Sequence, residues 1–155
     1  MAFNTRMGAT AGYRIPSRAL IVGGSPGART SAAGAAREIA AGLRDGACPD
    51  PDLCPLEDAA GPPRDLLDGL GFDSRMRSAR AVVILDRRLA LDSLAGSVTF
   101  EIATRARQAG VPAYAVTGEN RLDAFAARML DLQLIIQARS PAALRDAGRT
   151  LAEVL

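Results

Sequence analysis

The sequence predicts a single three-layer α/β domain with a doubly wound, mostly parallel sheet of about five strands, Rossmann-like or flavodoxin-like in style. Apolar segments typical of buried strands alternate along the chain with segments of helical periodicity. The strand segments are continuous apolar runs, which are typical of parallel strands covered by helices on both faces. We expect residues 1–17 to form a flexible tail and residues 18–155 to form the domain.

Five segments have the composition of strands. The clearest is AVVIL, whose apolar, β-branched residues favour a buried strand. The segment at residues 52–56 is the weakest, because Pro55 lacks an amide hydrogen and suits an edge strand or a strand end. The predicted strands are residues 18–23, 52–56, 81–85, 111–116 and 132–137.

The helices are predicted from their periodicity and their end signals. Thr30 or Ser31 can cap the first helix, and Gly110 ends the third. Ser140 and Pro141 open the last helix. The predicted helices are residues 31–43, 64–70, 98–109, 122–130 and a final segment whose shared face is Leu144, Ala147, Leu151 and Val154.

The basic residues exclude several kinds of chemistry. All 19 are arginine, and the chain has neither lysine nor histidine. A Schiff base on a side-chain amine, an imidazole proton shuttle and a Walker-type phosphate loop are therefore excluded. We predict no metal site, because zinc and iron sites usually need imidazole or more cysteine than this chain has.

Charge and hydropathy narrow the range of partners. The net charge is +2, with both signs interleaved, which argues against a nucleic-acid surface. No apolar run approaches the roughly 20 residues of a membrane helix, and residues 1–16 lack an apolar signal core. We therefore expect a cytoplasmic protein. Cys48 and Cys54 fit two free thiols better than a redox or metal-binding pair.

The loop after the first strand is the first candidate ligand site. Ligands of open α/β sheets bind beyond the C-terminal ends of the strands, and glycines let the backbone approach a ligand closely. The following helix N-terminus favours an anion, to which Arg29 and Ser31 can add contacts. An ordinary strand-to-helix turn explains the same composition equally well. The candidate residues are Gly23, Gly24, Ser25, Gly27, Arg29, Thr30 and Ser31.

The segment after the AVVIL strand is the second candidate. Asp86 and Asp92 could act as general acid or base, or bind a metal through oxygen, with Arg87 and Ser93 as ligand contacts. A solvated loop in which the arginines neutralise the acids is the favoured alternative.

A third candidate follows the fourth strand. Thr117 and Gly118 are predicted to contact the ligand, and Glu119 is a further acid or base. The alternative is a helix-entry turn with glycine turn chemistry. Tyr114 is expected to pack in the core, whereas Tyr13 lies in the tail, which could fold over the site as a lid.

Several segments together resemble the glycerate kinase family, which phosphorylates D-glycerate with ATP. IVGGSPGARTSAAGAAREIAAGLR resembles that family's opening strand, DSFKG-type loop and first helix, and PLEDAAGPP resembles its PxADGGEGT segment. The family's VxTGEGRxDxQSxxGK run and the helix after it have a similar segment here, AVVILDRRLALDSLAGSVTFEIATRARQAGVPAYAV. The family's closing strand and helix resemble the last segment, LDLQLIIQARSPAALRDAGRTLAEVL. The resemblance spans residues 19–155.

The departures from that family fall where its chemistry would be. Gly24 and Gly27 stand where the family has an aspartate and a lysine, and Ser97 replaces the lysine of the GK pair. Ala90 replaces a further aspartate, whereas Asp86 keeps an acid at the TGEG position. A glycine-glutamate pair is lost in the segment Ala60-Gly61-Pro62, and the middle of the longer family chains has no counterpart.

The resemblance implies a pseudo-kinase that binds a small anionic metabolite or a protein partner at the C-terminal edge of the sheet. One alternative is a repurposed small enzyme that uses Asp86, Asp92 or Glu119 as acid or base. Another is residual glycerate kinase activity, the one case that would need ATP and Mg²⁺. A universal-stress-type nucleotide binder is the least favoured alternative. Homo-oligomerisation through the alanine-rich helices stays open.

Overall fold

The computed structural model describes residues 15–57 and 60–155. Five parallel strands form one sheet in the order β2-β1-β3-β4-β5. This order confirms the predicted doubly wound, flavodoxin-like fold and places the switch point between β1 and β3. The edge position expected for the proline-containing strand is confirmed, since β2 pairs only with β1 among the described strands. The strands are β1 (Ala19–Gly23), β2 (Asp52–Pro55), β3 (Ala81–Leu89), β4 (Ala113–Asn120) and β5 (Leu132–Gln137).

Helices cover both faces of the sheet, which gives the three layers predicted. The first and last helices pack together on one face, and the second, third and fifth helices contact each other on the opposite face. The helices are α1 (Ala32–Asp45), α2 (Pro63–Gly69), α3 (Phe72–Arg77), α4 (Leu91–Leu94), α5 (Val98–Ala109), α6 (Ala124–Met129) and α7 (Pro141–Val154). None of them is both long and apolar enough to cross a membrane.

Short polar side chains set where the longer helices begin. Ser31, Ser97 and Ser140 each accept a hydrogen bond from the amide three residues ahead, at 2.9–3.2 Å. These bonds satisfy amides that the first helical turn leaves without a partner. Gly110, with φ of 70°, ends α5 in the left-handed conformation that glycine adopts without steric cost.

The sheet separates two apolar layers, and β3 contributes to both. Val82 and Ile84 pack with the α3 and α5 side, whereas Val83 and Leu85 pack with α1 and α7. Successive side chains of a strand point to opposite faces, so a strand covered on both faces is apolar at every position. Tyr114 lies in the α1–α7 layer, 9% exposed, as the sequence predicted.

Two glycines bring α1 and α7 into direct backbone contact. A Cβ on Gly42 would overlap the Arg145 carbonyl oxygen, and one on Gly148 would overlap the Ile39 carbonyl oxygen. Asp45 adds ion pairs across the same interface, 2.8 Å from Arg145 Nε and 2.9 Å from an Arg149 terminal nitrogen. The interface therefore combines close helix packing with charge pairing at its rim.

Two predicted strand ends are wrong. β3 continues from Leu85 to Leu89, and β4 continues past Val116 to Asn120. The two extensions pair with each other, Arg88 opposite Glu119, so the backbone bonding of the ladder outweighs the polar composition that suggested loops. Leu89 is fully buried and anchors the extension to the core.

Other expectations have mixed outcomes. Helix α3 was not predicted, and Val154, expected on the buried face of α7, is 51% exposed. Cys48 and Cys54 are free thiols, as expected. The tail prediction for residues 1–14, with the lid proposed for Tyr13, falls outside the described residues.

Candidate functional site

An open cleft of about 980 Å³ lies beyond the C-terminal ends of the strands, next to the switch point. Its lining comes from the β1–α1 loop, the ends of β3 and β4, the start of α5 and the β5–α7 loop. This is where an open α/β sheet is expected to bind ligands. The lining residues are Pro26, Gly27, Ala28, Arg29, Thr30, Asp86, Arg87, Arg88, Ser93, Ser97, Gly118, Glu119, Arg139, Ser140 and Pro141.

The extended ends of β3 and β4 form a two-stranded ribbon at the cleft. β1 ends opposite Leu85 and β5 ends opposite Thr117, so only β3 and β4 continue beyond these points. We call residues 86–89 and 118–120 the ribbon. It carries Asp86, Arg87 and Glu119 on paired backbone rather than on the loops that the sequence suggested. Their positions are therefore fixed by the ladder of the sheet.

The β1–α1 loop packs against the backbone of the sheet through its glycines. Gly23 has φ of 136°, and a Cβ there would overlap the backbone of Leu85. The carbonyl oxygen of Leu85 also accepts a hydrogen bond from the Gly24 amide at 3.1 Å. Farther along, a Cβ on Gly118 would overlap the carbonyl oxygen of Pro26. The glycines at 23 and 118 thus bring segments of the protein together, and neither Gly23 nor Gly24 lines the cleft.

Polar groups of this loop are largely engaged within the protein. The Ser25 hydroxyl lies within hydrogen-bonding distance of the Gly27 and Thr30 carbonyl oxygens. The Thr30 hydroxyl lies 3.4 Å from the Arg139 carbonyl oxygen, at the β5–α7 loop. These contacts hold the β1–α1 loop against the far side of the cleft.

The N-terminus of α1, predicted to favour an anionic ligand, is occupied by a side chain of the protein. The Glu57 carboxylate accepts hydrogen bonds from the amides of Ala32 at 3.2 Å and Ala33 at 2.7 Å. Ser31 accepts from the next amide, that of Gly34. No local pattern marks this contact, because Glu57 lies about 25 positions from the start of α1 and its loop has no recognisable spacing to the helix.

Asp86 is held at the base of the ribbon. Its Oδ2 accepts from the hydroxyl of Thr99 on α5 at 2.6 Å, and its Oδ1 lies 3.3 Å from the amide nitrogen of Arg88. Thr99 is only 5% exposed, so this hydrogen bond lies at the edge of the core. Thr99 was not among the predicted site residues.

Glu119 is an ion-paired carboxylate. Its Oε1 accepts from Arg121 Nε at 2.5 Å, and its Oε2 lies 3.6 Å from Arg88 Nε. The hydrogen bond from Arg121 is the largest cause that holds the pKa of Glu119 below its ordinary value. Desolvation opposes it, and the charges of Arg121, Arg88 and Arg139 add to the lowering. A carboxyl group with a lowered pKa is a poor general acid at neutral pH.

Three arginines of the cleft are available to a ligand. Within residues 15–57 and 60–155, neither Arg29 nor Arg87 has a carboxylate oxygen within 4.0 Å. Arg139 donates from Nε to the Gly118 carbonyl oxygen at 2.5 Å, and this bond positions its guanidinium. Arg139 was not predicted, although its position directly after β5 is a signal that could have identified it.

The structure brings together part of the predicted set. Eight predicted residues line the cleft: Gly27, Arg29, Thr30, Asp86, Arg87, Ser93, Gly118 and Glu119. Six do not: Gly23, Gly24, Ser25, Ser31, Asp92 and Thr117. Asp92 is exposed and lies 3.9 Å from Arg88, as in the ion-pair alternative, and Thr117 is fully buried.

Comparison with known proteins identifies no family for this chain. No family model matches the sequence, and no curated protein does. A response regulator receiver domain from Rhodospirillum rubrum is similar in structure, with 17% identity over 88% of this chain and 94% of that chain and a TM-score of 0.49.

The predicted relationship to the glycerate kinase family is wrong, and with it the pseudo-kinase interpretation. No family model and no curated protein supports it. The resemblance rested on element order and on short strand, glycine and helix patterns. Such patterns arise in any doubly wound domain, because strands, helix caps and C-terminal glycines recur at similar spacings.

The two enzymatic alternatives fail with it. The repurposed enzyme was expected to use Asp86, Asp92 or Glu119 as acid or base. Asp92 does not line the cleft, Glu119 has a lowered pKa, and Asp86 accepts a hydrogen bond from Thr99. Residual kinase activity required a magnesium ion on Asp86 and Asp92. Asp86 instead bonds Thr99 and Asp92 lies beside Arg88, and the described residues contain no group of three or more metal-ligating side chains.

Proposed function

We propose that the domain is a binding module whose cleft holds a small ligand through a phosphate or carboxylate group contacted by Arg29, Arg87 and Arg139. The single observation that carries this proposal is the presence of arginines in the cleft without carboxylate partners among the described residues. A guanidinium forms paired, charge-assisted hydrogen bonds with exactly such planar or tetrahedral oxyanions.

The charge of the cleft supports an anionic ligand. Four arginines and two carboxylates line it, so these groups contribute +4 − 2 = +2. Both carboxylates already have partners, since Asp86 accepts from Thr99 and Glu119 from Arg121. The remaining positive charge lies on arginines that project from the loops and the ribbon.

The arrangement favours binding over turnover. The lining contains no histidine, lysine or cysteine, and neighbouring arginines favour the ionised form of the Glu119 carboxylate. Glu119 is therefore poorly suited to act as a general acid. Arg29, Thr30 and Arg87 were expected as ligand contacts from the sequence, and Arg139 joins them here.

Isothermal titration of the purified chain with pyrophosphate tests the proposal. We expect saturable binding that weakens as salt is added, because screening reduces charge pairing in an open cleft. Arg87→Gln and Arg29→Gln should each weaken binding about 10-fold, the effect of losing one charge-assisted hydrogen bond. Arg37→Gln removes the same charge from the exposed surface of α1 and is the matched control.

Two results would overturn the proposal. The first is the absence of saturable pyrophosphate binding at low salt. The second is an equal loss of affinity in Arg37→Gln and the cleft variants, which would indicate attraction by the overall charge instead of a site.

A further inference from the structure

The polar residues of the cleft fall into two chemically different halves. Strand alternation places Asp86 and Arg88 on the α5 face of the ribbon, as the bond from Asp86 to Thr99 of α5 shows. Arg87 and Gly118 face the opposite way, and a Cβ on Gly118 would overlap Pro26 of the β1–α1 loop. The free arginines and Ser140 belong to the half next to that loop.

The other half presents hydrogen-bond acceptors. It contains the carboxylates of Asp86 and Glu119 and the hydroxyls of Ser93 and Ser97. Each carboxylate oxygen has two acceptor positions, and each of the four oxygens of Asp86 and Glu119 has one described partner. Acceptor positions on both carboxylates are therefore left for a ligand.

The hydroxyls of this half add to the same pattern. Ser93 donates to the Ala90 carbonyl oxygen at 3.3 Å, which leaves its oxygen as an acceptor. Ser97 accepts from the Phe100 amide at 3.1 Å, which leaves one acceptor position and its own O–H as a donor. The complementary ligand groups are mainly donors and can also accept, which describes hydroxyls.

The formal charges around this half balance, because Arg88 and Arg121 lie against Glu119 next to the carboxylate of Asp86. The net charge therefore favours neither a second anion nor an ammonium group. Neutral hydroxyls pair with the free acceptor positions and bring no further charge.

We infer that the ligand is a phosphorylated polyhydroxy compound, whose phosphate binds the arginine half of the cleft and whose hydroxyls donate to Asp86 and Glu119. This inference rests on the proposed function and specifies its ligand. The shared chemistry is that of a sugar phosphate and of the ribose phosphate part of a nucleotide. Carboxylate recognition of adjacent hydroxyls is geometrically natural, because two parallel O–H groups match two carboxylate oxygens.

The experiment compares inorganic phosphate, ribose, ribose 5-phosphate and AMP by titration calorimetry on the full chain. Ribose 5-phosphate should bind about 10-fold more tightly than inorganic phosphate, as expected for added hydrogen bonds to charged acceptors. Ribose alone should bind too weakly to measure. Tighter binding of AMP than of ribose 5-phosphate would identify a nucleotide as the source of the sugar phosphate, and weaker binding a free sugar phosphate.

Variants separate the two halves. Glu119→Gln should remove most of the preference, measured as the ratio of the affinities of this variant for ribose 5-phosphate and for inorganic phosphate. Asp92→Asn is the matched control, because Asp92 lies beside the same Arg88 but does not line the cleft. It should keep the preference of the wild-type protein.

The outcomes distinguish this inference from the proposed function. If inorganic phosphate binds but ribose 5-phosphate binds no more tightly, or if Glu119→Gln keeps the full preference, the inference is overturned and the arginine site stands. If neither compound binds, and pyrophosphate also does not, both proposals are overturned.

Discussion

Glu57 Oε1 lies 2.7 Å from the amide nitrogen of Ala33, so a side chain of the β2–α2 connection closes the first turn of α1. The other oxygen of the same carboxylate accepts from the Ala32 amide. A negative charge at this position is stabilised by the helix dipole as well as by the two amides. The contact joins the edge strand region to the helix beside the cleft.

Replacing Glu57 should destabilise the domain. We expect Glu57→Gln to lower the free energy of unfolding by about 0.5–1 kcal/mol, because the charge is lost, and Glu57→Ala by about 1 kcal/mol or somewhat more. Urea denaturation measures both values. Glu153→Gln, on the exposed side of α7, is the charge-matched control. Equal stability of Glu57→Gln and Glu153→Gln would show that the contact contributes nothing.

Gly118 should tolerate no side chain. A methyl group there would overlap the Pro26 carbonyl oxygen and lie 2.8 Å from that of Arg87. We expect Gly118→Ala to cost about 1–3 kcal/mol and to weaken anion binding, because the β1–α1 loop must move away from the ribbon. Thermal unfolding and pyrophosphate titration measure the two effects.

Gly69 provides the matched control for that substitution. It is the last residue of α2, and a Cβ there would have no neighbour within 4 Å. Gly69→Ala should be neutral or stabilise by up to about 1 kcal/mol, because alanine loses less backbone freedom on folding. A Gly118→Ala protein as stable as Gly69→Ala would contradict the proposed close approach of loop and strand.

Arg105 should be the most sensitive arginine of the α2–α3–α5 layer. Its side chain is 12% exposed and lies 2.7 Å from Asp68, 3.2 Å from Asp73 and 2.9 Å from Glu101. We expect Arg105→Met to cost about 1.5–3 kcal/mol, the range for hydrogen bonds to charged groups. Arg105→Lys should recover part of the loss, because an ammonium keeps the charge without the planar fork.

Urea denaturation of these variants measures the effect. Arg128→Met is the control, since Arg128 is exposed on α6 and has no carboxylate within 4.0 Å among the described residues. A loss in Arg128→Met as large as that in Arg105→Met would contradict a special role for Arg105.

Asp45 should make the stability depend on pH in the acid range. Hydrogen bonds and charge from Arg145 and then Arg149 lower the pKa of Asp45 from 3.8 to about 2, against a smaller effect of desolvation. A carboxyl whose folded-state pKa is lowered stabilises the fold above its unfolded pKa. This contribution is complete above about pH 4 and is lost as the pH falls through about 2.

Comparison of the wild-type protein with Asp45→Asn tests the direction of this pH dependence. The difference in urea midpoint should be largest above pH 4, shrink between pH 4 and pH 2, and decrease when salt is added. Asp131→Asn serves as a control with an exposed carboxylate that has no arginine within 4.0 Å among the described residues. A difference that grows as the pH falls would contradict the assignment.

The architecture could be predicted from the sequence because its signals are local. The apolar run AVVIL, the cap at Ser31 and the glycine at 110 each determine a strand, a helix start or a helix end through neighbouring residues. The order of such elements then specifies a doubly wound sheet.

The site could be predicted only in part because its contacts connect distant segments. Ladder pairing between β3 and β4 extends both strands past the point where their composition turns polar, and it carries Arg88 into the cleft. The bonds from Glu57 to α1 and from Arg139 to Gly118 join residues about 20 or more positions apart. No local sequence pattern indicates such pairs. The interpretation of the site therefore depended on the resemblance to the glycerate kinase family, which was wrong.

The contact between Gly42 and Gly148 has a consequence for how the domain reaches its native state. Helix α7 follows the other described elements in chain order and is made after them, yet it covers Ile39 and Leu43 of α1 and the α1–α7 face of the central strands. Until α7 has been made, the part of that apolar layer that α7 covers stays exposed to water. The nascent domain therefore acquires its full cooperative stability late, when α7 packs its glycine against that of α1 and completes the layer.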